Sequence, residues 1–381
     1  MWKYGDLYQN YPTRQQLMDI VTLILFVLGF VLLVGGADFL VRGASGLAVA
    51  AGLSPLVVGL TVVAYGTSAP ELAVAVQSGF AGKSDLAVGN IVGSNISNIL
   101  LILGFTAAIA PLIVSRQLVR LEIPLMIGIS FLLLLMGWDG QINRLDGLIL
   151  LTGAIAYTTF TIRQCLQENQ KTSATSNQES AQGSSSRGVK QVVFQLAMII
   201  LSLGMLVVGS NWLIQGAVVV ARLLGLSELI IGLTLVAIGT SLPELATSIA
   251  ATIRGERDIV VGNAIGSNIF NILLVLGLCG VVVPEGLTVS TSVLNFDIPI
   301  MIAVAVACLP IFFTGYRIAR WEGFLFLGYE VAYLLYLVLN ATEHDAIEVF
   351  NDIMMIFAVP LTVITLVTVM LRALHKNSHN I

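Results

Sequence analysis

The sequence predicts an all-α polytopic membrane protein made of two inverted five-helix repeats, ten transmembrane helices in all, with an eleventh helix at the C-terminal end. Three observations predict it. The 381 residues are 57% hydrophobic and only 10% charged, with a mean hydropathy of +0.93, whereas soluble domains carry roughly 25% charged residues. Apolar runs recur at the length of about 20 residues that a bilayer core requires. One block of sequence also occurs twice.

The elements follow in order. The opening MWKYGDLYQNYPTRQQLMD lacks the basic end, short apolar core and small-residue site of a cleavable signal. The first apolar run is therefore expected to stay as a helix. Spans are expected at 19–41, 54–79, 86–110, 121–137 and 145–165 in the first half. The second half predicts spans at 191–221, 229–253, 259–283, 296–314 and 322–340. The eleventh, at 350–372, contains Asn351 and Pro360. Between the halves lies QENQKTSATSNQESAQGSSSRG, rich in Ser, Gln and Asn and unable to bury a core. The chain thus divides into a first half (1–166), a connector (167–190), a second half (191–340) and a C-terminal extension (341–381).

The halves are related. Residues 56–104 and 229–277 align without a gap at an offset of 173, with 28 of 49 positions identical. Five spans separate matching helices, and five is odd, so the second copy must cross the membrane in the opposite sense. Inverted repeats with interrupted helices build many secondary transporters, whose site lies at the repeat interface near the midplane.

Lys and Arg set the orientation. Sorting the connections alternately places 5 basic residues on one side and 13 on the other. The expectation is an outside N-terminus and a cytoplasmic connector. The net charge of −4 says nothing about nucleic acid, but basic residues sit at loop ends rather than along a stripe, so no nucleic-acid partner is expected. Cys165, Cys279 and Cys308 fall in or beside apolar runs at no ligand spacing and read as small hydrophobic fillers. No nucleophile–base pairing supports an enzyme, and neither a prosthetic cofactor nor an obligatory protein partner is expected.

The chemistry sits in the repeat. GTSAPEL (66–72) and GTSLPEL (239–245) each place a glutamate, Glu71 and Glu244, directly after a proline. A charge at the bilayer centre costs at least ~2.5–3.5 kcal/mol on insertion scales, so such residues face the bundle interior and mark pathways. Pro70 and Pro243 interrupt the helix ladder. Carbonyls near Ala64, Gly66 and Thr67, and near Ala237, Gly239 and Thr240, are expected to be freed into a cavity. The hydroxyls of Thr67, Ser68, Thr240 and Ser241 lie beside the glutamates in sequence. GNIVGSNISN (89–98) and GNAIGSNIFN (262–271) carry Ser94 with Asn98 and Ser267 with Asn271, each pair four residues apart on one helix face. With no His or Cys nearby, oxygen-only ligation suits Ca²⁺, Mg²⁺ or Na⁺. The bland alternative is that the Gly, Ser and Asn residues serve helix packing alone. Asp85 and Asp258 read as helix N-caps, and Glu122, Asp297, Glu322 and Glu330 as interfacial residues flanking later spans.

The paired GTS(A/L)PEL and GNxxGSNI motifs closely resemble the α-repeats of the cation/calcium exchanger superfamily, and most nearly those of prokaryotic sodium/calcium exchangers. The resemblance covers two blocks of about fifty residues. It implies Na⁺-driven Ca²⁺ antiport by alternating access, with Ca²⁺ and Na⁺ as cargo and the lipid bilayer as surroundings. It implies a prokaryotic inner-membrane location. By position it implies Glu71 and Glu244 as central shared ligands, with main-chain and hydroxyl oxygens of Thr67 and Thr240. Ser68, Ser241, Ser94, Ser267, Asn98, Asn271 and the carbonyls of Ala64 and Ala237 would line Na⁺ positions. It also implies that the spans beginning at 19 and 191 slide past the core. Some family members carry Asp where this chain has Asn271, a departure that bears on cation selectivity and potassium dependence. Burial disfavours a charged carboxylate in general, so Ca²⁺/H⁺ antiport is the alternative. A passive channel is the third reading.

Overall fold

The computed structural model describes residues 20–175, 185–232, 237–313 and 315–378. Among these, nine helices are long and apolar enough to cross a membrane, and one bent pair makes ten. The first half runs α1 (Ile20–Ala51), α2 (Pro55–Thr67), α3 (Ala69–Phe80), α4 (Ser84–Ile109), α5 (Leu118–Asp139) and α6 (Arg144–Thr175). The second runs α7 (Ser185–Leu223), α8 (Glu228–Ile231), α9 (Ala237–Gly239), α10 (Leu242–Arg254), α11 (Arg257–Val282), α12 (Val293–Phe313) and α13 (Arg320–Ala341). A final helix, α14 (Ala346–Val369), follows where the eleventh span was expected.

The boundaries differ from the expected spans at charged residues. α1 continues ten residues beyond 41 and α7 begins at Ser185, inside the expected connector. Hydropathy ended the first expected span before Arg42, but backbone hydrogen bonding does not stop at a charge. Arg42 stays helical because it pairs with Asp38 one turn earlier (2.8 Å). α6 likewise runs to Thr175, so both ends of the expected connector are helical; residues 176–184 lie outside the described residues. So do the opening segment before Ile20 and residues 233–236 of the second interrupted span.

The halves interlock by a two-fold logic. Strand β1 (Leu112–Ile113) pairs antiparallel with β4 (Arg317–Ile318), and β2 (Gln141–Ile142) with β3 (Leu287–Thr288). Exchanging the halves turns one pairing into the other. The closest crossings obey the same rule. A Cβ on Gly323 would stand 2.7 Å from Gly104 O, and one on Gly147 would stand 2.8 Å from Gly277 O, so both crossings require glycine. α4 and α11 form the centre, with 72% and 78% of their apolar windows buried against 11% for α13 and 6% for α14. α1 and α7 pack along each other and against the interrupted helices α2 and α10, and their outer faces expose Leu23, Phe30, Phe194 and Ile200.

Candidate functional site

The site forms where the broken helices meet the middle of α4 and α11. α2 ends at Thr67, Ser68 takes a non-helical turn (φ −79°, ψ 4°), and α3 restarts with Pro70 in its first two positions and Glu71 in its first turn, bent by 41°. Pro70 therefore begins a helix as well as ending one, because its fixed φ suits the first turn and its missing N–H is not needed there. Glu244 repeats this in α10, after Ser241 (φ −88°, ψ 6°) and Pro243. Both carboxylates sit at the positive end of a helix dipole, which favours their charge.

One expectation is corrected. The Ala64 carbonyl is not freed, because the Ser68 N–H donates to it (3.1 Å) and the proline's missing donor falls two residues later, at Gly66. In the second repeat the Ser241 N–H turns instead to Ile238 O (3.1 Å), a tighter 3₁₀-type contact. Ala237 opens the short α9.

Glu71 and Glu244 are each 1% exposed. They are close enough to interact electrostatically. Ser94 and Ser241 Oγ each approach Glu71 Oε1 at 3.5 Å, the outer limit of hydrogen bonding, and lie 3.3 Å from each other. Thr240 also faces Glu71, while Thr67 and Ser68 face Glu244. The threonine hydroxyls donate across the repeats, Thr67 Oγ1 to Asn263 Oδ1 (3.1 Å) and Thr240 Oγ1 to Asn90 Oδ1 (3.3 Å). With the proton given away, their lone pairs remain for a cation.

Behind this lies a four-asparagine network. Asn95 Nδ2 donates to Asn268 O (3.3 Å), and Asn268 Nδ2 to Asn95 O (3.1 Å). Asn98 Nδ2 donates to Asn268 Oδ1 (2.9 Å), and Asn271 Nδ2 to Asn95 Oδ1 (3.0 Å). The amide nitrogens of Asn98 and Asn271 are thus held, and their Oδ1 atoms have no protein partner. Glu71 Oε2, Glu244 Oε2, Ser68 Oγ and Ser267 Oγ share that state. Buried oxygens without donors are costly in a protein interior, and cations are the partners their chemistry suits. Both Asn98 and Asn271 begin π-helical turns, Asn98–Leu103 and Asn271–Leu276, which recur at functional sites.

Sequence reasoning missed Asn90, Asn95, Asn263 and Asn268, although all four recur at the same offset. It also missed Thr247, buried one turn after Glu244 with an unpartnered hydroxyl, because Val74 stands at the matching position of the first repeat. Asp85 and Asp258 are not N-caps: Lys83 and Glu256 hold those positions without side-chain caps, and the aspartates lie inside the first turn. Glu122 and Glu330 are buried within the protein, as is Glu322, which accepts from the Ala319 N–H (2.7 Å) at the start of α13. Glu122 and Asp297 accept from Tyr157 (2.8 Å) and Tyr333 (2.9 Å). Hydropathy could not register these partners on later helices. The three cysteines are free and buried. No described cluster of three or more His, Cys, Asp or Glu could hold a metal.

Two inverted repeats, each interrupted at a buried glutamate and meeting at an oxygen-lined centre, define a secondary cation transporter. The sodium/calcium exchanger protein family matches residues 21–163 and 194–341, one stretch per repeat, and the chain belongs to that family. It is 33% identical to the sodium/calcium exchanger MaX1 of Methanosarcina acetivorans, across 84% of this chain and 99% of that one. It is 38% identical to the inner membrane protein YrbG of Escherichia coli, across 68% of this chain and 79% of that one. The solved sodium-calcium exchanger NCX_Mj superposes with a TM-score of 0.70 at 33% identity, covering 83% of this chain and 98% of that one. The chain is accordingly a multi-pass integral membrane antiporter of cations including Ca²⁺, not an enzyme, and the inverted-repeat architecture expected from its sequence holds.

Proposed function

We propose that the chain exchanges Na⁺ for Ca²⁺ by alternating access at a midplane site built on Glu71 and Glu244. The observation that carries this reading is the pair of buried carboxylates, one from each repeat, among oxygens that lack protein donors. Two carboxylates offer four oxygens, and the Thr67 and Thr240 carbonyls bring six, within the roughly 6–8 that Ca²⁺ takes. Ser68, Ser94, Ser241, Ser267, Asn98 and Asn271 supply neutral oxygens for Na⁺, with second lone pairs of the Ala64 and Ala237 carbonyls.

The mechanism follows from charge. Two carboxylates neutralise one Ca²⁺ or are shared among Na⁺ ions, and cations repel one another, so the two loads compete. An empty site leaves two negative charges facing an apolar barrier. Only a loaded site crosses, as α1 and α7 slide past the core, which gives exchange rather than leak. Protons held on the same carboxylates give the alternative, Ca²⁺/H⁺ antiport.

Ca²⁺ uptake by reconstituted protein under imposed Na⁺, K⁺ or H⁺ gradients tests both. The expected result is uptake driven by outward Na⁺. Uptake driven by protons alone would replace Na⁺ coupling, and single-channel current would overturn antiport.

A further inference from the structure

The repeats lose their symmetry at one buried charge. α6 and α13 align at an offset of 176, matching Arg144 with Arg320, Gly147 with Gly323 and Tyr157 with Tyr333. The two tyrosines bond equivalent carboxylates, Glu122 and Asp297. At Glu330 the match fails, since Ala154 stands in its place. Its contact on α4, Ser97, is matched on α11 by Phe270. A polar pair in one half thus replaces an apolar pair in the other.

Glu330 is 2% exposed, Ser97 Oγ donates to its Oε1 (2.5 Å), and its Oε2 has no partner. Among the described residues no basic side chain pairs with Glu330. α4 carries no Lys, Arg or His, and its one acidic group, Asp85, lies at the far end of the helix, in the first turn. On its own helix Tyr333 is committed to Asp297 of α12. Glu348 and Asp352 at the start of α14 are exposed acids. A buried carboxylate without a positive partner is costly, so this one calls for a ligand of charge +1.

We propose that Glu330 and Ser97 form a second binding site, outside the central one, for a single positive charge: a proton or one Na⁺. Ser97 immediately precedes Asn98, where the π-helical turn of α4 begins. Occupancy at Glu330 therefore reaches the central oxygens through one peptide unit; this coupling alone rests on the proposed function. The site exists in one repeat only, so it adds to the asymmetry between the two halves.

Infrared difference spectroscopy of the reconstituted full chain, wild type against Glu330→Gln, tests it. A protonated carboxyl band that shifts in D₂O and is absent from the variant identifies the ligand as a proton. A carboxylate band that moves on Na⁺ titration identifies it as Na⁺. A carboxylate band insensitive to both pH and Na⁺ overturns the proposal. Ser97→Ala keeps Glu330 and guards against misfolding of the first variant: the band must shift when the 2.5 Å bond is removed, and an unmoved band equally overturns it. Ca²⁺ binding retained by detergent-solubilised variants, measured by titration, shows that the central site survives in them and so separates failure here from failure of the central site.

Discussion

Glu71 and Glu244 hold their carboxylates with few and long protein contacts, as the proposed cation site requires. Replacing either with Gln keeps the volume and the serine neighbours and removes one charge. Glu71→Gln and Glu244→Gln are each expected to abolish Ca²⁺ transport while the protein stays folded. Near-normal uptake by either well-expressed variant would remove these residues from the site. Asn95 and Asn268 work differently, since each gives its amide to the other's backbone and each accepts from a candidate ligand. Asn268→Ala leaves Asn98 Nδ2 without its acceptor, and an orphaned buried group costs ~1–3 kcal/mol. Thermal unfolding in detergent is expected to fall accordingly, with weakened Na⁺ competition. An unchanged melting temperature would show that the network is not holding Asn98.

At the scale of elements, α1 and α7 must move as one if they are to slide. Their crossing supports this. A Cβ on Gly29 would stand 2.8 Å from Gly209 O, and one on Gly209 would stand 2.7 Å from the Leu33 nitrogen. Backbone atoms cannot yield as a flexible side chain can. Gly209→Val is therefore expected to separate the pair and reduce exchange at least tenfold, a barrier increase of about 1.4 kcal/mol, with Ca²⁺ affinity retained. Wild-type flux in that variant would indicate that the tight crossing is not needed for transport. The same pair is tied to the core by Arg254 of α10, whose Nε donates to Asp38 of α1 (2.6 Å). Half-exposed ion pairs contribute ~0–1 kcal/mol, so this tie can break during sliding.

For the whole molecule, the charge balance sets the response to voltage. Two carboxylates balance one Ca²⁺, whereas three Na⁺ in the same core leave about one excess positive charge. Moving that charge is worth ~2.3 kcal/mol per 100 mV. Na⁺-driven Ca²⁺ flux at clamped potential is expected to depend on voltage; flux insensitive to it would reject electrogenic exchange. Asn271→Asp would add a third carboxylate and is expected to change Na⁺ competition. From the distribution of basic residues we propose that the N-terminus lies outside and the connector in the cytoplasm. A cysteine at position 176, with native cysteines removed, is expected to resist an impermeant thiol reagent added to intact cells. Clear labelling would invert the topology.

The sequence by itself determined the class, the repeat and the paired glutamates, because these rest on local quantities: apolar length, an ungapped internal match and proline's missing N–H. It placed Ser94, Asn98 and their repeat mates on shared helix faces for the same reason, since i, i+4 spacing is geometry within one helix. Only the tertiary structure decided which oxygens meet. Thr67 finds Asn263, Ser241 finds Glu71, and Asn95 finds Asn268 across as many as 196 residues of chain. It also showed Glu122 and Glu330 to be buried, each against a hydroxyl from another helix. Hydropathy counts a carboxylate as polar wherever it stands, whereas its burial depends on a tyrosine or serine supplied by another helix.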